Sequence, residues 1–133
     1  SKGIGGAEEA EGLERKPGDY VVIKPRWSGF FQTELDLILR RLGVKTVILT
    51  GTTTPNCIRT SCYDGLSLDY NILIIEDCCS SNTAEIQRVN MEDMARVGAV
   101  ITDSDIFCTD AFAVADFAGE IQRRVQQDET APE

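Results

Sequence analysis

The stretch that most constrains the fold runs from Lys45 to Asp64, KTVILTGTTTPNCIRTSCYD. Val47, Ile48 and Leu49 are a short apolar run with β-branched members, which is a strand pattern. Gly51 interrupts it, and Thr52-Thr53-Thr54-Pro55 makes a tight turn. From Asn56 and Cys57 onward, Ile58, Cys62, Leu66 and Leu68 recur near helical spacing. A strand therefore passes through a sharp turn into a helix whose first residues include a cysteine. First-turn N–H groups have no intrahelical partner and the helix dipole is positive there, so the thiolate of Cys57 is favoured over the thiol. The same donors can hold an oxyanion that forms on a carbonyl under attack. A structural cysteine at a strand–helix junction fits these residues as well.

The rest of the chain repeats the alternation. Tyr20–Ile23 predicts a strand ending at Lys24, after the turn signal Pro17-Gly18-Asp19. Tyr70–Ile75 predicts a buried strand ending at Glu76-Asp77, and Ala99–Ile101 one ending at Thr102-Asp103. Between them lie helical patterns: a short one near Glu8–Leu13, and Leu35–Leu42 with Thr33 as N-cap, Asp36 completing a capping box and Gly43 closing it. Thr83 caps a third, running to about Val97 after a Cys78–Asn82 loop, and Ala111–Gln127 is the last. Strands alternating with helices predict an α/β fold: one domain over residues 1–133, a parallel sheet with helices on both faces. Ligands collect at the carboxyl ends of such strands, where Lys24, the Gly51–Cys57 turn, Asp77 and Asp103 all fall.

Composition removes several functions. The net charge is −9, from 13 basic and 22 acidic residues, which opposes binding to a phosphate backbone and makes nucleic acid an unexpected partner. No apolar run approaches the length of a membrane span and no signal peptide is present, so a cytoplasmic protein with no membrane association is expected. Five cysteines are an odd number and predict free thiols rather than a disulfide framework. Histidine is absent, which removes Ser-His-Asp and Cys-His mechanisms from this chain. There is no C-x-x-C spacing, Tyr63 stands where a phosphatase-type loop needs arginine, and the Gly51 turn is no nucleotide P-loop. The vicinal Cys78 and Cys79 read as small buried residues at a strand end.

Two further features bear on chemistry. Lys24, partly desolvated at its strand end, can transfer protons or stabilise negative charge near a nucleophile, though a lysine that only snorkels is the commoner case. Trp27, Phe30 and Phe31 crowd one loop around Gly29 and predict an apolar wall, with one of the three in the site and the others in the core.

Taken together, G-A-E at Gly6–Glu8, P-G-D-Y-V-V-I-K ending at Lys24, R-W-S-G-F-F-x-T-x-L-D from Arg26 to Asp36, G-x-x-T-x-x-C-I from Gly51 to Ile58, and the Asp77 strand end before Ser80 resemble the isochorismatase-like cysteine hydrolases. The likeness is to the N-carbamoylsarcosine amidase and the ureidoacrylate and biuret hydrolase members, over nearly all of Gly3–Ile101. It implies a Rossmann-like three-layer sandwich and a catalytic triad of cysteine, lysine and aspartate, in which Cys57 is the nucleophile and Lys24 the lysine. It implies a cis peptide between Thr52 and Thr53, with the N–H groups of Thr53 and Cys57 in the oxyanion hole. It implies cleavage of a C–N bond in a small amide or ureido substrate through a thioester, and a homo-oligomer. The alternatives are an isochorismate-type vinyl-ether hydrolase, against which Cys57 speaks, and an inactive oligomerisation or regulatory homologue. The family's aspartate lies at the end of its first strand, and the matching motifs here begin after it. That strand and the general base are thus expected from a preceding segment or another chain, lying between the Lys24 and Cys57 strands. Metal-binding relatives use His and Asp ahead of the lysine; with no histidine here, no metal or other cofactor is expected.

Overall fold

The computed structural model describes residues 12 and 14–130. The Glu8–Leu13 helix expected from sequence falls outside the described residues, apart from Gly12. The elements are α1 (Leu35–Arg41), β1 (Thr46–Thr52), α2 (Arg59–Ser67), β2 (Asn71–Ser80), α3 (Ala84–Arg96), β3 (Val100–Thr102), α4 (Ser104–Thr109) and α5 (Ala111–Thr130). A single π-helical turn, Thr54–Ile58, leads from β1 into α2. The three strands form a parallel sheet in the order β1-β2-β3.

The sheet is covered on both faces, and side-chain alternation along β2 shows how. Ile72 and Ile74 face a core of Phe30 from the aromatic loop, Ile58 from the π-helical turn, Cys62 from α2, Tyr70 just before β2, and Met91 and Met94 from α3. Gly65 of α2 lies so close to Ile72 that a Cβ there would meet its Cδ1 at 2.6 Å. Leu73 and Ile75 are buried on the opposite face, where Gly119 of α5 backs onto Asn71 and Ala118 is buried. β2 is therefore apolar on both faces over Ile72–Ile75, as a central parallel strand is.

Several local expectations change. Tyr20–Lys24 is not a strand: it makes no ladder, and Ile23 is 86% exposed. A strand exists only through its hydrogen-bonded neighbours, and none lies beside this segment among the described residues. β1 consequently has one free edge, and Ile48 is exposed rather than buried on both faces. Thr33 is not the N-cap of α1; Glu34 is. The Thr33 hydroxyl instead donates to Gly29 O at 2.5 Å and accepts from Leu35 N–H at 3.3 Å. Asp36 is taken up by Tyr70 Oη–H at 2.6 Å and Arg40 at 3.2 Å, so the capping box does not form. β2 runs on to Ser80 instead of ending at Glu76-Asp77, because Cys79 and Ser80 pair with Gly51 and Thr52. This places Cys79 in the core and leaves Cys78 exposed. α4 was not expected from sequence. Its start is held by Asp77, which accepts from Ser104 N–H at 2.8 Å and from the Ser104 hydroxyl, and by Asp103, which caps Ile106 N–H.

Elsewhere pattern and structure coincide. Gly43 sits at φ 71° and closes α1, with Val44 N–H bonded to Leu39 O. Thr83 accepts from Ile86 N–H at the start of α3.

Candidate active site

Gly51 adopts φ 123°, a conformation that side chains disfavour, and the peptide between Thr52 and Thr53 is cis. Here β1 leaves its regular pairing with β2. Leu49 stands opposite Ile74, but Gly51 stands opposite Cys79, so two steps along β1 (51 − 49) match five along β2 (79 − 74). The extra residues Glu76, Asp77 and Cys78 form a bulge exposed to solvent. Beyond the turn, Thr54 is fully buried and Cys57 is partly exposed just before α2. Thr53 O accepts from both Asn56 N–H at 3.1 Å and Ile58 N–H at 3.3 Å, so these two donors are already engaged.

The loop that begins at Lys24 folds over this turn. Lys24 Nζ donates to Cys57 Sγ at 3.2 Å and to Arg26 O at 3.0 Å. The sequence-predicted pair is thus brought together from 33 positions apart. The loop is tied to α2 through Gly29 N–H, which donates to Ser61 Oγ at 2.9 Å. Asp77 and Asp103, at the same rim, are engaged with α4. Among the described residues no carboxylate is bonded to Lys24 Nζ or Cys57 Sγ, and no group of three or more His, Cys, Asp or Glu is gathered.

A cavity of about 600 Å³ lies along α2 beside the loop, lined by Arg26, Trp27, Phe31, Arg59, Tyr63 and Asp64 among others. Thr60, also in its wall, donates to Asn56 O at 2.7 Å, which sets the cavity within a helical turn of Cys57. Of the three loop aromatics, Trp27 and Phe31 line it, whereas Phe30 is 8% exposed and stacks on Tyr70 with centroids 5.7 Å apart. Of the two aromatics expected in the core only Phe30 is there; Trp27 and Phe31 are exposed. Phe30 packs under the loop against Gly65, where the Gly29–Ser61 bond, the bond from Phe30 N–H to Ser28 and the Thr33 bond to Gly29 O hold the backbone. Arg59 and Tyr63 were not singled out from sequence, although their i, i+4 spacing puts them on one face of α2. The Arg59 guanidinium lies 5.0 Å over the Tyr63 ring and donates to Asn90 at 3.0 Å and Asp93 at 3.3 Å. No carboxylate among the described residues is paired with Arg26.

The remaining thiols divide by burial. Cys62, in the core of α2, is pushed up to about 12 by burial, with nearby Arg59 opposing the rise. Burial also raises Cys79, whose thiol faces Leu49 O at 3.9 Å. Cys78 and Cys108 are exposed.

The described residues thus form a parallel α/β sheet that sets Cys57 at the head of α2 with the Lys24 ammonium on its sulfur. Residues 1–106 match the isochorismatase domain model, and the chain belongs to that family. It is 40% identical to a probable inactive nicotinamidase of Arabidopsis thaliana over 99 residues, covering 73% of this chain and 50% of that one. The fold superposes on an isochorismatase family protein from Desulfovibrio vulgaris with a TM-score of 0.78 at 39% identity, over 84% of this chain and 58% of the other. It superposes on N-carbamoylsarcosine amidase from Thermoplasma acidophilum with a TM-score of 0.70 at 35% identity, over 78% and 59%. The chain thus spans half of the curated relative and under two thirds of these solved structures. Among the described residues no helix is long and apolar enough to cross a membrane.

Proposed function

We propose that this protein is part of a cysteine hydrolase that cleaves the C–N bond of a small amide or ureido substrate. The observation that carries the reading is the contact between Lys24 Nζ and Cys57 Sγ at the head of α2. The ammonium stabilises a thiolate, and the thiolate attacks the substrate carbonyl. The turn N–H groups of Thr53 and Cys57 receive the oxyanion; those of Asn56 and Ile58 are engaged with Thr53 O. Collapse of the adduct breaks the C–N bond, and ammonia or an amine leaves with a proton from the general acid. Water then attacks the thioester and restores the thiol. Trp27 and Phe31 wall the substrate from water, and the Arg26 guanidinium suits an anionic group on it.

The acid–base partner is assigned outside the described residues, on a parallel strand seated along the free edge of β1, from a preceding segment or another chain. An aspartate on such a strand would reach both Lys24 and Cys57. The protein acts as a homo-oligomer in this reading. The interface is assigned to α5, whose Phe112 is 86% exposed. Nucleic acid and membrane have no part in the function, and the place of action is the cytoplasm.

The test is intact-protein mass spectrometry during incubation with a panel of primary amides and ureides. An acyl adduct on Cys57, absent from Cys57→Ser, supports the reading. A second reading, an inactive homologue, is favoured by the description of the Arabidopsis relative as a probable inactive nicotinamidase. Absence of both adduct and turnover, with the partner strand present, decides for it.

A further inference from the structure

The side chain of Gln87 occupies the space between the nucleophile turn and the β2 bulge. Its Nε2 donates to Glu76 O at 3.2 Å and Cys79 O at 3.4 Å, the two carbonyls that bracket the bulge. Its Oε1 accepts from the hydroxyl of Thr54, which also lies 3.2 Å from Ser80 O. The orientation of the amide follows from its neighbours: two carbonyl oxygens require the NH₂ group, so the oxygen faces Thr54. Thr54 is fully buried and lies three residues before Cys57. One side chain of α3 thereby joins the displaced end of β2 to the segment that carries the sulfur.

We infer that Gln87 is a positioning residue for the nucleophile: it fixes the Thr54 turn against the β2 bulge and so sets the distance from Cys57 Sγ to Lys24. This rests on the reading of Cys57 as the nucleophile. The bulge residues Glu76, Asp77 and Cys78 are solvent-exposed; Asp77 ties them to α4, and Gln87 ties them to the segment that carries Thr54 and Cys57. Lys24 lies on a loop that no strand pairing holds, so the register of sulfur and ammonium depends on what anchors the turn. Gln87 touches neither group and acts only through Thr54.

The experiment measures iodoacetamide labelling of each thiol against pH in the full chain, by peptide mass spectrometry. Exposed Cys78 and Cys108 are internal references, and thermal melts are recorded in parallel. In Gln87→Leu, labelling of Cys57 at neutral pH is expected to fall at least tenfold and its midpoint to move to higher pH, with Cys108 unchanged. Thr54→Val, which removes the same bond from the other side, is expected to reproduce the effect. The double variant is expected to be no worse than the stronger single variant, since both break one linkage. Gln87→Glu keeps an acceptor for Thr54 but loses the donor to Glu76 O and Cys79 O. It serves where Gln87→Leu does not fold, with a smaller shift in the same direction expected. A Cys57 profile superposable on wild type in the folded variants, or Cys57 and Cys108 shifting together, overturns the inference. If wild-type Cys57 labels no faster than Cys108, the nucleophile reading itself fails and the positioning role falls with it. A wild-type preference for Cys57 that the variants leave untouched removes Gln87 alone.

Discussion

The ammonium of Lys24 lies 3.2 Å from the sulfur of Cys57, although the two residues are 33 positions apart and share no element of regular structure. One belongs to an irregular loop and the other to the head of a helix. The contact gives Cys57 an ammonium hydrogen-bonded to its sulfur. In wild-type protein, iodoacetamide at neutral pH is expected to label Cys57 first. Exposed Cys78 and Cys108 should follow, and Cys79 more slowly. Cys62, whose thiol burial pushes up to about 12, should react only on unfolding. Peptide mapping over a time course checks the order; equal rates at all five sites would count against an activated Cys57.

Lys24→Met keeps the length of the side chain and removes its charge. Turnover of any amide or ureide that the complete enzyme hydrolyses is expected to fall by about 10²–10³, the size typical of a lost charge-stabilising donor. Because Lys24 is exposed, stability should change by no more than about 0.5 kcal/mol. Steady-state kinetics with a thermal melt separate the two. Loss of fold with loss of activity would mean that Lys24 holds the loop rather than serving the chemistry.

Gly65 lets α2 settle on the sheet. A methyl group there would meet Ile72 Cδ1 at 2.6 Å and Phe30 Cε2 at 3.3 Å, both within the core. Gly65→Ala is expected to destabilise by about 1–3 kcal/mol, the cost of overpacking. Denaturant unfolding reads this directly, and a neutral result would show that the Ile72 side chain yields freely.

The Asp77 carboxyl is held below the usual range by its bonds to the Ser104 hydroxyl and N–H. Its folded pKa is depressed, so the stability it contributes is present above its unfolded value and lost as pH falls through the folded one. The protection factors of the Ser104 amide and of α4, taken against the intrinsic exchange rate at each pH, are therefore expected to fall in acid, below the ordinary carboxylate range. Asp77→Asn should remove most of that acid dependence; a dependence that survives it unchanged would count against Asp77 as its source.

The assembly proposed through α5 predicts a multiple of the protomer mass by light scattering. Phe112→Asp, at a side chain 86% exposed in the protomer, should shift the population to protomers without lowering the melting temperature of the protomer itself. A monomeric wild type would remove α5 as an interface between copies.

The sequence alone determined those elements whose cause is local. Val47–Leu49, Ile72–Ile75 and Val100–Ile101 are apolar runs that find a strand partner wherever a parallel sheet forms. Gly43 and Thr83 end and begin helices through backbone conformation and a single capping bond. The turn into Cys57 was legible for the same reason, since Gly51 and the residues after it carry its geometry. What the tertiary structure decided were matters of who stands opposite whom. Tyr20–Lys24 has a strand pattern but no strand, because a ladder needs a neighbour that its own residues do not supply. Asp36 suits a cap and bonds Tyr70 and Arg40 instead. Which of Trp27, Phe30 and Phe31 is buried was decided by how their loop packs on α2 and Tyr70, which covers Phe30 and leaves the other two exposed. Gln87 gave no signal at all: it bonds three partners on two other segments, and a side-chain amide acquires these only when packing brings carbonyls and a buried hydroxyl within its reach.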